Sequence, residues 1–149
     1  MRTNAIITTA MSGALLALAA LAPAAGQASA GTVDTTPPDP YIRARERQDL
    51  HDVLRHGIQA TCGTADDERP VSCRMTALRK GRVLTTETER IEAPYNRFQF
   101  HLPLTREDKS RIRRADPPVA IKLLLRVTDE AGNAGKDRKR IRLVADLYG

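Results

Sequence analysis

The sequence predicts an all-β protein: a sandwich of two sheets with about seven short strands and two short helical turns, preceded by a signal peptide. Three observations lead to this prediction. Apolar and polar side chains alternate along several short runs, turn-forming residues separate those runs, and the start of the chain has the composition of an export signal. Alternation with a period of two places one face of each strand in a core and the other in solvent.

Residues 1–30 predict a secretory signal peptide. Arg2 gives a weakly basic start, the run from Ala5 to Leu21 is mostly Ala, Leu and Ile, and small residues follow it. We expect cleavage after Ala30, with Ala25 as the second candidate, because signal peptidase admits small side chains. The apolar run is diluted by polar residues and falls short of the about 20 strongly apolar residues of a spanning helix. We therefore expect no transmembrane segment in the mature chain, which is secreted or associated with the cell envelope.

The rest of the chain is expected to form one domain behind a linker. A mature chain of this size can bury a modest core without extra staples. The segment 31–40 contains three prolines and no apolar period, so it predicts an extended, proline-rich linker. The domain then spans 41–147. The whole chain has a formal net charge of +6, and the mature chain stays basic because Arg2 is the one charged residue of the signal.

The strands are predicted from runs in which large apolar side chains occupy every second position. In the run at 121–127, for example, aliphatic side chains alternate with Lys122 and Arg126. The complete set of predicted strands is 41–45, 58–62, 71–77, the strands that flank a hairpin turn at Gly81, 98–104, 121–127 and a last strand that contains Ile141 and Leu143.

Two segments depart from the β pattern. In 48–57 the leucines and a valine have helical spacing, and Gly57 is placed to end one or two turns of helix. In 105–115, Thr105 and Asp108 have the spacing of a capping box, and a following proline pair prevents the helix from continuing. Both helices are too short to form a bundle, so we expect them to link the sheets.

Cys62 and Cys73 are the two cysteines of the chain. Exported cysteines ordinarily pair. Both fall on the apolar side of their predicted strands, so we expect a disulfide between neighbouring strands that faces the core. No metal and no cofactor is predicted: the cysteines form no CxxC motif, and the acidic cluster at 66–68 lacks the alternating spacing of a calcium loop.

The order of these features resembles a bacterial immunoglobulin-like repeat. The resemblance is carried by Asp34-Thr35-Thr36-Pro37-Pro38, the leucine-containing turn that ends at Gly57, the two cysteine strands, the Gly81 hairpin, the strand and basic turn over 102–115, and the stretch from Leu125 to Asn133. It spans nearly the whole mature chain, and its sharpest part is 127–133.

Such repeats occur in secreted and surface proteins of high-GC Gram-positive bacteria. The resemblance implies an immunoglobulin-like, or fibronectin-III-like, sandwich that serves as a spacer, stalk or adhesion module, with no catalytic residues to transfer. Two features differ from the pattern. The cysteines of such repeats usually lie closer together than Cys62 and Cys73, which are separated by the insert 63–72. The chain also has no Trp, and its cysteine separation is far too short for the inter-sheet bridge of antibody domains.

The sequence predicts no enzymatic activity and no small-molecule substrate. A Ser, Cys or Thr nucleophile needs a base within hydrogen-bond reach. The available bases are His51 and His56 in the first helical segment and His101 on the polar side of a strand, and each is expected on the solvated surface. No nucleophile elbow, zinc-protease motif or phosphate-binding loop occurs. No catalytic residue is therefore predicted.

The most distinctive binding feature is the basic end of the chain. Its candidate polyanion contacts are Lys136, Arg138, Lys139, Arg140 and Arg142, with Arg111, Arg113 and Arg114 as cations that could share the same surface. Clustered cations can neutralise phosphates. Charge on a strand can equally protect an exposed sheet edge from pairing with another chain. The sequence leaves both interpretations open.

Three functional hypotheses follow. The first is a secreted module with a structural, adhesion or protein-interaction role, whose partners could be cell-wall polymers or another envelope protein. The second is an extracellular polyanion-binding domain that uses the basic final strand. The third is a small protease inhibitor, suggested by the size of the chain, its export and the bridged loop between Cys62 and Cys73.

Overall fold

The computed structural model describes residues 34–65, 72–91 and 97–146. The predicted signal peptide and the acidic cluster at 66–68 lie outside these residues. Within them the chain forms eight strands and two helices. In chain order these are β1 (Pro40–Arg43), β2 (Arg47–Asp49), α1 (Leu50–His56), β3 (Ile58–Thr64), β4 (Ser72–Arg79), β5 (Arg82–Arg90), β6 (Arg97–Leu102), α2 (Arg106–Arg113), β7 (Val119–Thr128) and β8 (Ala134–Val144).

The strands divide into two sheets. One has the order β1-β3-β6, and the other has the order β2-β8-β7-β4-β5. All pairs are antiparallel except β2 and β8, which run parallel. The prediction of an all-β protein is therefore confirmed at the level of two sheets with two short helices.

The core lies between the inward faces of these sheets, and the alternation seen in the sequence produces it. Along β7, for instance, Ile121, Leu123, Leu125 and Val127 are buried while the residues between them are exposed or half-buried. The largest fully buried side chains are Phe100, Ile58, Met75, Leu102, Ile112, Ile121, Leu123, Ile141, Leu143, Val53 and Val127. Removing such side chains from water is the main stabilising term for a domain of this kind.

Strand β2 was not predicted, because it overlaps the start of the segment expected to be helical. Helix α1 begins at Leu50, after Asp49, whose side chain accepts a hydrogen bond from the Asp52 N–H at 2.9 Å. This N-cap leaves residues 47–49 free to pair with β8. Gly57 ends the helix with a φ of 90°, as predicted.

The predicted capping box of α2 is confirmed. Thr105 Oγ1 accepts a hydrogen bond from the Asp108 N–H at 3.1 Å and donates one to Asp108 Oδ2 at 2.6 Å. The Asp108 side chain is buried, and its other oxygen lies 3.7 Å from the Arg82 guanidinium. The helix is thereby fixed to the start of β5.

The predicted disulfide between Cys62 and Cys73 is present, with a Cα–Cα distance of 6.5 Å. Its position differs from the expectation of a bond between neighbouring strands. Cys62 lies on β3 in the three-stranded sheet and Cys73 on β4 in the five-stranded sheet, so the bond joins the two sheets across the core. The two cysteines can bridge the sheets although they are only 11 residues apart, because the chain passes from one sheet to the other between β3 and β4.

The described part of the predicted linker packs on the domain. Residues 34–39 form no helix or strand. Pro38 is buried, and its carbonyl oxygen lies so close to Gly135 that a Cβ there would come within 2.0 Å of it. The Asn133 side chain also donates a hydrogen bond to the Asp34 carbonyl at 3.0 Å. The segment is therefore fastened to the turn between β7 and β8.

Candidate functional site: a basic face on the five-stranded sheet

The outward face of the five-stranded sheet carries cations from three adjacent strands. We call this surface the basic face. Its members are Lys136, Arg138, Arg140 and Arg142 on β8, Lys122 and Arg126 on β7, and Arg74 on β4, and all of them are exposed. Their common side follows from strand geometry, because the cations of one strand are an even number of residues apart and register partners on neighbouring strands lie on the same face.

Strand register places these cations next to one another. Lys122 is the partner of Arg140, and Arg126 is the partner of both Lys136 on β8 and Arg74 on β4. Adjacent strands are only about 4.8 Å apart, so the like charges repel one another. A bound anion would relieve that repulsion.

Among the residues that the structure describes, no carboxylate forms a salt bridge with a cation of the basic face. The two salt bridges there join Arg82 to Asp108 and Arg111 to Glu107, and neither involves the basic face. The described outward positions of β4, β7 and β8 contain no carboxylate. These cations are thus available to an external ligand.

Asp137 shows how β8 separates its charges. It pairs with Leu125, a core residue, so it lies on the other side of the strand from Lys136 and Arg138. Its Oδ2 accepts a hydrogen bond from the Ile42 N–H of β1 at 2.7 Å, and its Oδ1 accepts one from the Arg138 N–H. The carboxylate therefore connects β8 to β1.

The prediction that Lys139 belongs with the other cations of β8 is corrected by the register. Its partner is Leu123, whose side chain faces the core, so Lys139 lies on the side opposite Arg138 and Arg140. Because side chains alternate along a strand, five consecutive basic or acidic residues cannot share one face. Lys139 instead lines a separate cleft of about 590 Å³ beside β2 and α1, together with Arg43 and Arg47.

The three arginines of the second helical segment are placed apart from any strand of the basic face. Arg111 and Arg113 lie in α2, and Arg114 follows it. Arg111 is paired with Glu107 within the helix, and Arg114 Nε donates to the Ser110 carbonyl at 3.3 Å. No register position joins them to the cations of β8.

Sequence reasoning missed Arg74, Lys122 and Arg126. Their signal was present, since each occupies a polar position in an alternating run. It could not be used, because alternation gives the side of a strand on which a residue lies but not which strands are neighbours.

A groove crosses the basic face. It has a volume of about 680 Å³ and is lined by Arg74, Thr76, Lys122, Leu124, Leu125, Arg126, Lys136, Asp137 and Arg138. Its floor contains half-buried Leu124 and Thr76, while the cations around them are exposed. Asp137 and Leu125 also line the groove, although their register positions belong to the inward side of their strands. The groove therefore combines a neutral floor with mainly cationic walls.

The other candidate residues occupy solvent-facing or structural positions. His51, His56 and His101 are exposed, as predicted. Asp129 and Asn133 close the turn before β8, where the Asn133 N–H and side chain both donate to the Asp129 carboxylate. Within residues 34–65, 72–91 and 97–146, no group of three or more His, Cys, Asp or Glu side chains could hold a metal ion. None of the helices in this part of the chain is long and apolar enough to cross a membrane.

Comparison with known proteins gave structural matches only. No protein-family model and no curated protein sequence matches the chain. A superoxide reductase (neelaredoxin) from Ignicoccus hospitalis matches with a TM-score of 0.46 and 13% sequence identity, covering 70% of this chain and 80% of the reductase. The spore cortex lytic enzyme SleM of Clostridium perfringens matches with a TM-score of 0.26 and 12% identity, and the match covers 73% of this chain but 27% of the enzyme.

These matches require one correction. The sequence predicted a protein without enzymatic activity, whereas the similar structures are enzymes by name. The prediction of a non-enzyme is therefore withdrawn. Similarity at this level assigns no reaction to the chain.

Proposed function

We propose that this protein is an exported polyanion-binding domain that uses its basic face. The observation that carries the proposal is the register of β8, β7 and β4, which collects cations from three strands with no carboxylate between them. A surface of one sign raises the local concentration of oppositely charged polymers, and binding releases their counterions.

The alternative explanation of these charges, protection of a sheet edge, fits only part of the basic face. Edge protection concerns strands with an unpaired side. Strands β7 and β4 are both interior to the five-stranded sheet, with a partner on each side. Edge protection therefore does not explain the charges of Lys122, Arg126 and Arg74 on these strands. Their presence favours the interpretation that the face binds a polyanion.

We also propose that the fold is immunoglobulin-like. In that fold the A, B and E strands share one sheet, while the C, F and G strands share the other. With β1 as A, β3 as B, β4 as C, β6 as E, β7 as F and β8 as G, the strand order agrees with this division. Strand β5 then extends the second sheet next to C.

Export is part of the proposal. It is supported by the signal-like composition of residues 1–30 and by the bond between Cys62 and Cys73, since disulfides persist mainly in oxidising compartments. The ligand would accordingly be an extracellular or envelope polymer.

Binding to heparin and to a poly(glycerol phosphate) chain, measured over a range of salt concentrations, tests the function. For single-stranded polyanions the slope of log K against log salt is about −0.7 for each phosphate neutralised. We expect the double variant Lys122→Gln/Arg126→Gln to bind more weakly and to lose about 1.4 from that slope, because two contacts disappear.

A matched control removes the same charge elsewhere. Arg55 on α1 and Arg113 on α2 are exposed cations outside the basic face. The double variant Arg55→Gln/Arg113→Gln should bind nearly as the unmodified protein does. No binding at low salt, or equal losses in the two double variants, would contradict the proposal.

The two other hypotheses remain predictions. A spacer or adhesion role needs no particular side chain, and an immunoglobulin-like sandwich would be compatible with it. The inhibitor hypothesis depends on the loop between Cys62 and Cys73, of which residues 66–71 lie outside the described part of the chain. A protease inhibition assay tests it directly.

A further inference from the structure

We infer that the basic face binds a single extended anionic chain without aromatic bases, and that this chain lies in one lane across the sheet. The inference rests on the proposed function and specifies its ligand. The lane is the row formed by Leu124, Thr76 and Thr86, which are register partners on β7, β4 and β5. All three side chains are half-buried, so the row is lower than the exposed cations beside it.

Cations flank the lane on both sides. One flanking row consists of Lys136, Arg126 and Arg74 on β8, β7 and β4, and the other consists of Arg140 and Lys122 on β8 and β7. Arg138 is the partner of Leu124 and stands at the β8 end of the lane. The opposite end opens at β5, which is the edge of the sheet.

The dimensions suit one chain. Lys122 and Arg126 are four residues apart on β7, so the backbones beneath the flanking rows are about 14 Å apart at a rise of about 3.4 Å per residue. From Arg138 on β8 to Thr86 on β5 the row crosses three strand intervals of about 4.8 Å each, so the lane is about 14 Å long. A flexible polymer can lie along it and meet cations on both sides. A double helix is a stiff rod that can contact only the raised flanks.

The side chains on the floor of the lane indicate which chemical groups the bound polymer carries between its charges. Sequence-tolerant binding of single-stranded nucleic acid usually relies on aromatic side chains that stack on the bases. The strands of the five-stranded sheet, as described here, contain no Phe, Tyr or Trp. The floor instead offers Leu124 and the hydroxyls of Thr76 and Thr86, whose oxygens are 3.1 Å apart. Such a surface complements a polyol or sugar backbone, which presents C–H groups and hydroxyls.

Filling the lane without changing its charge tests this inference. Thr76→Phe places a ring on the floor, and Thr86→Phe does so from the edge strand, in case the first variant folds poorly. Ala120→Phe is the matched control, because Ala120 lies on the same face opposite Arg142 and outside the lane. Circular dichroism checks that each variant folds. The probes are poly(glycerol phosphate), heparin and duplex DNA, the first two of which distinguish phosphate from sulfate as the source of charge.

We expect a lane-filling variant to weaken poly(glycerol phosphate) or heparin binding about tenfold, while Ala120→Phe changes it less than about twofold. Duplex DNA should bind all variants equally, because it touches only the flanks. If both lane variants fold and bind the single-chain polymers with unchanged affinity, while Lys122→Gln/Arg126→Gln loses affinity, the proposed lane is refuted and the proposed polyanion binding is retained. If duplex DNA binds more tightly than a single chain of equal charge, the lane is also wrong. If no polyanion binds at low salt, the proposed function fails as well.

Discussion

The side-chain amide of Gln48 forms hydrogen bonds with both the main-chain N–H and the main-chain carbonyl of Gln59. Gln48 Nε2 donates to the Gln59 carbonyl at 2.7 Å, and the Gln59 N–H donates to Gln48 Oε1 at 3.1 Å. Gln48 lies on β2 in one sheet and Gln59 on β3 in the other. Strand β1 pairs with β3 only from Thr61 onward, so the amide of Gln48 takes the place of a neighbouring strand.

Replacing this amide should destabilise the fold. The Gln48 side chain is buried, and Gln48→Ala would leave the N–H and carbonyl of Gln59 without their partner. Such a loss costs about 1–3 kcal/mol. Urea denaturation would measure it. Gln59→Ala is the control, because its side chain is exposed and its backbone groups stay in place, and it should change the free energy of unfolding by less than about 0.5 kcal/mol. Equal effects of the two variants would refute this assignment.

Removing the disulfide should lower stability by about 3 kcal/mol. Cys62 and Cys73 are 11 residues apart, and the chain-entropy model gives about this value for a loop of that length. Urea unfolding of Cys62→Ala/Cys73→Ala against the oxidised protein measures the difference. Adding reductant should destabilise the unmodified protein and leave the double variant unchanged. A reductant effect on the double variant would show that something other than this bond responds.

Loss of the Thr105 hydroxyl should destabilise the protein by more than the loss of an ordinary N-cap does. Thr105→Ala removes the acceptor for the Asp108 N–H and also the donor to the buried Asp108 carboxylate. The cap alone is worth about 1 kcal/mol, and the unpaired carboxylate oxygen adds to this. Thr105→Ser keeps the hydroxyl and should retain most of the stability in thermal or urea unfolding. A serine variant as unstable as the alanine variant would count against the hydroxyl.

Two glycines with nearly the same positive φ should respond differently to alanine. Gly57 has a φ of 90° and Gly132 a φ of 88°. A Cβ at Gly57 would lie 2.5 Å from the Leu102 carbonyl oxygen, whereas nothing lies within 4 Å of one at Gly132. Gly132→Ala should therefore cost only the conformational term of about 1–2 kcal/mol, and Gly57→Ala should cost clearly more. Equal losses in urea unfolding would mean that the backbone at Gly57 shifts freely.

The sequence predicted those strands and helices whose formation depends on the pattern of their own residues. Strands β3, β4 and β7 were predicted nearly at their observed positions, because most of their inward residues are apolar. Helix α2 was predicted from Thr105 and Asp108, whose contact is local. Strand β2 could not be found this way, since three residues paired only with the end of β8 leave no periodic pattern.

The basic face was predictable only in part. Consecutive charges on β8 indicated a cationic strand, and alternation with Ile141 and Leu143 could already have separated Lys139 from Arg138 and Arg140. The contributions of Arg74 and Arg126 depend on pairing between β4 and β7, which are distant in sequence. Short-range patterns carry no information about such pairing. The inter-sheet position of the disulfide was missed for the same reason.

The sorting of charge along β8 has a consequence for folding. Asp137 and Ile141 point to one side of the strand while Arg138 and Arg140 point to the other. A slip of the final hairpin by a single residue would carry the arginines into the apolar interior and push the isoleucine into water, so misaligned pairings are strongly disfavoured. The arginines proposed to bind a polyanion thus also enforce correct strand alignment. A substitution that removes charge to alter binding would also weaken the penalty against misfolded forms.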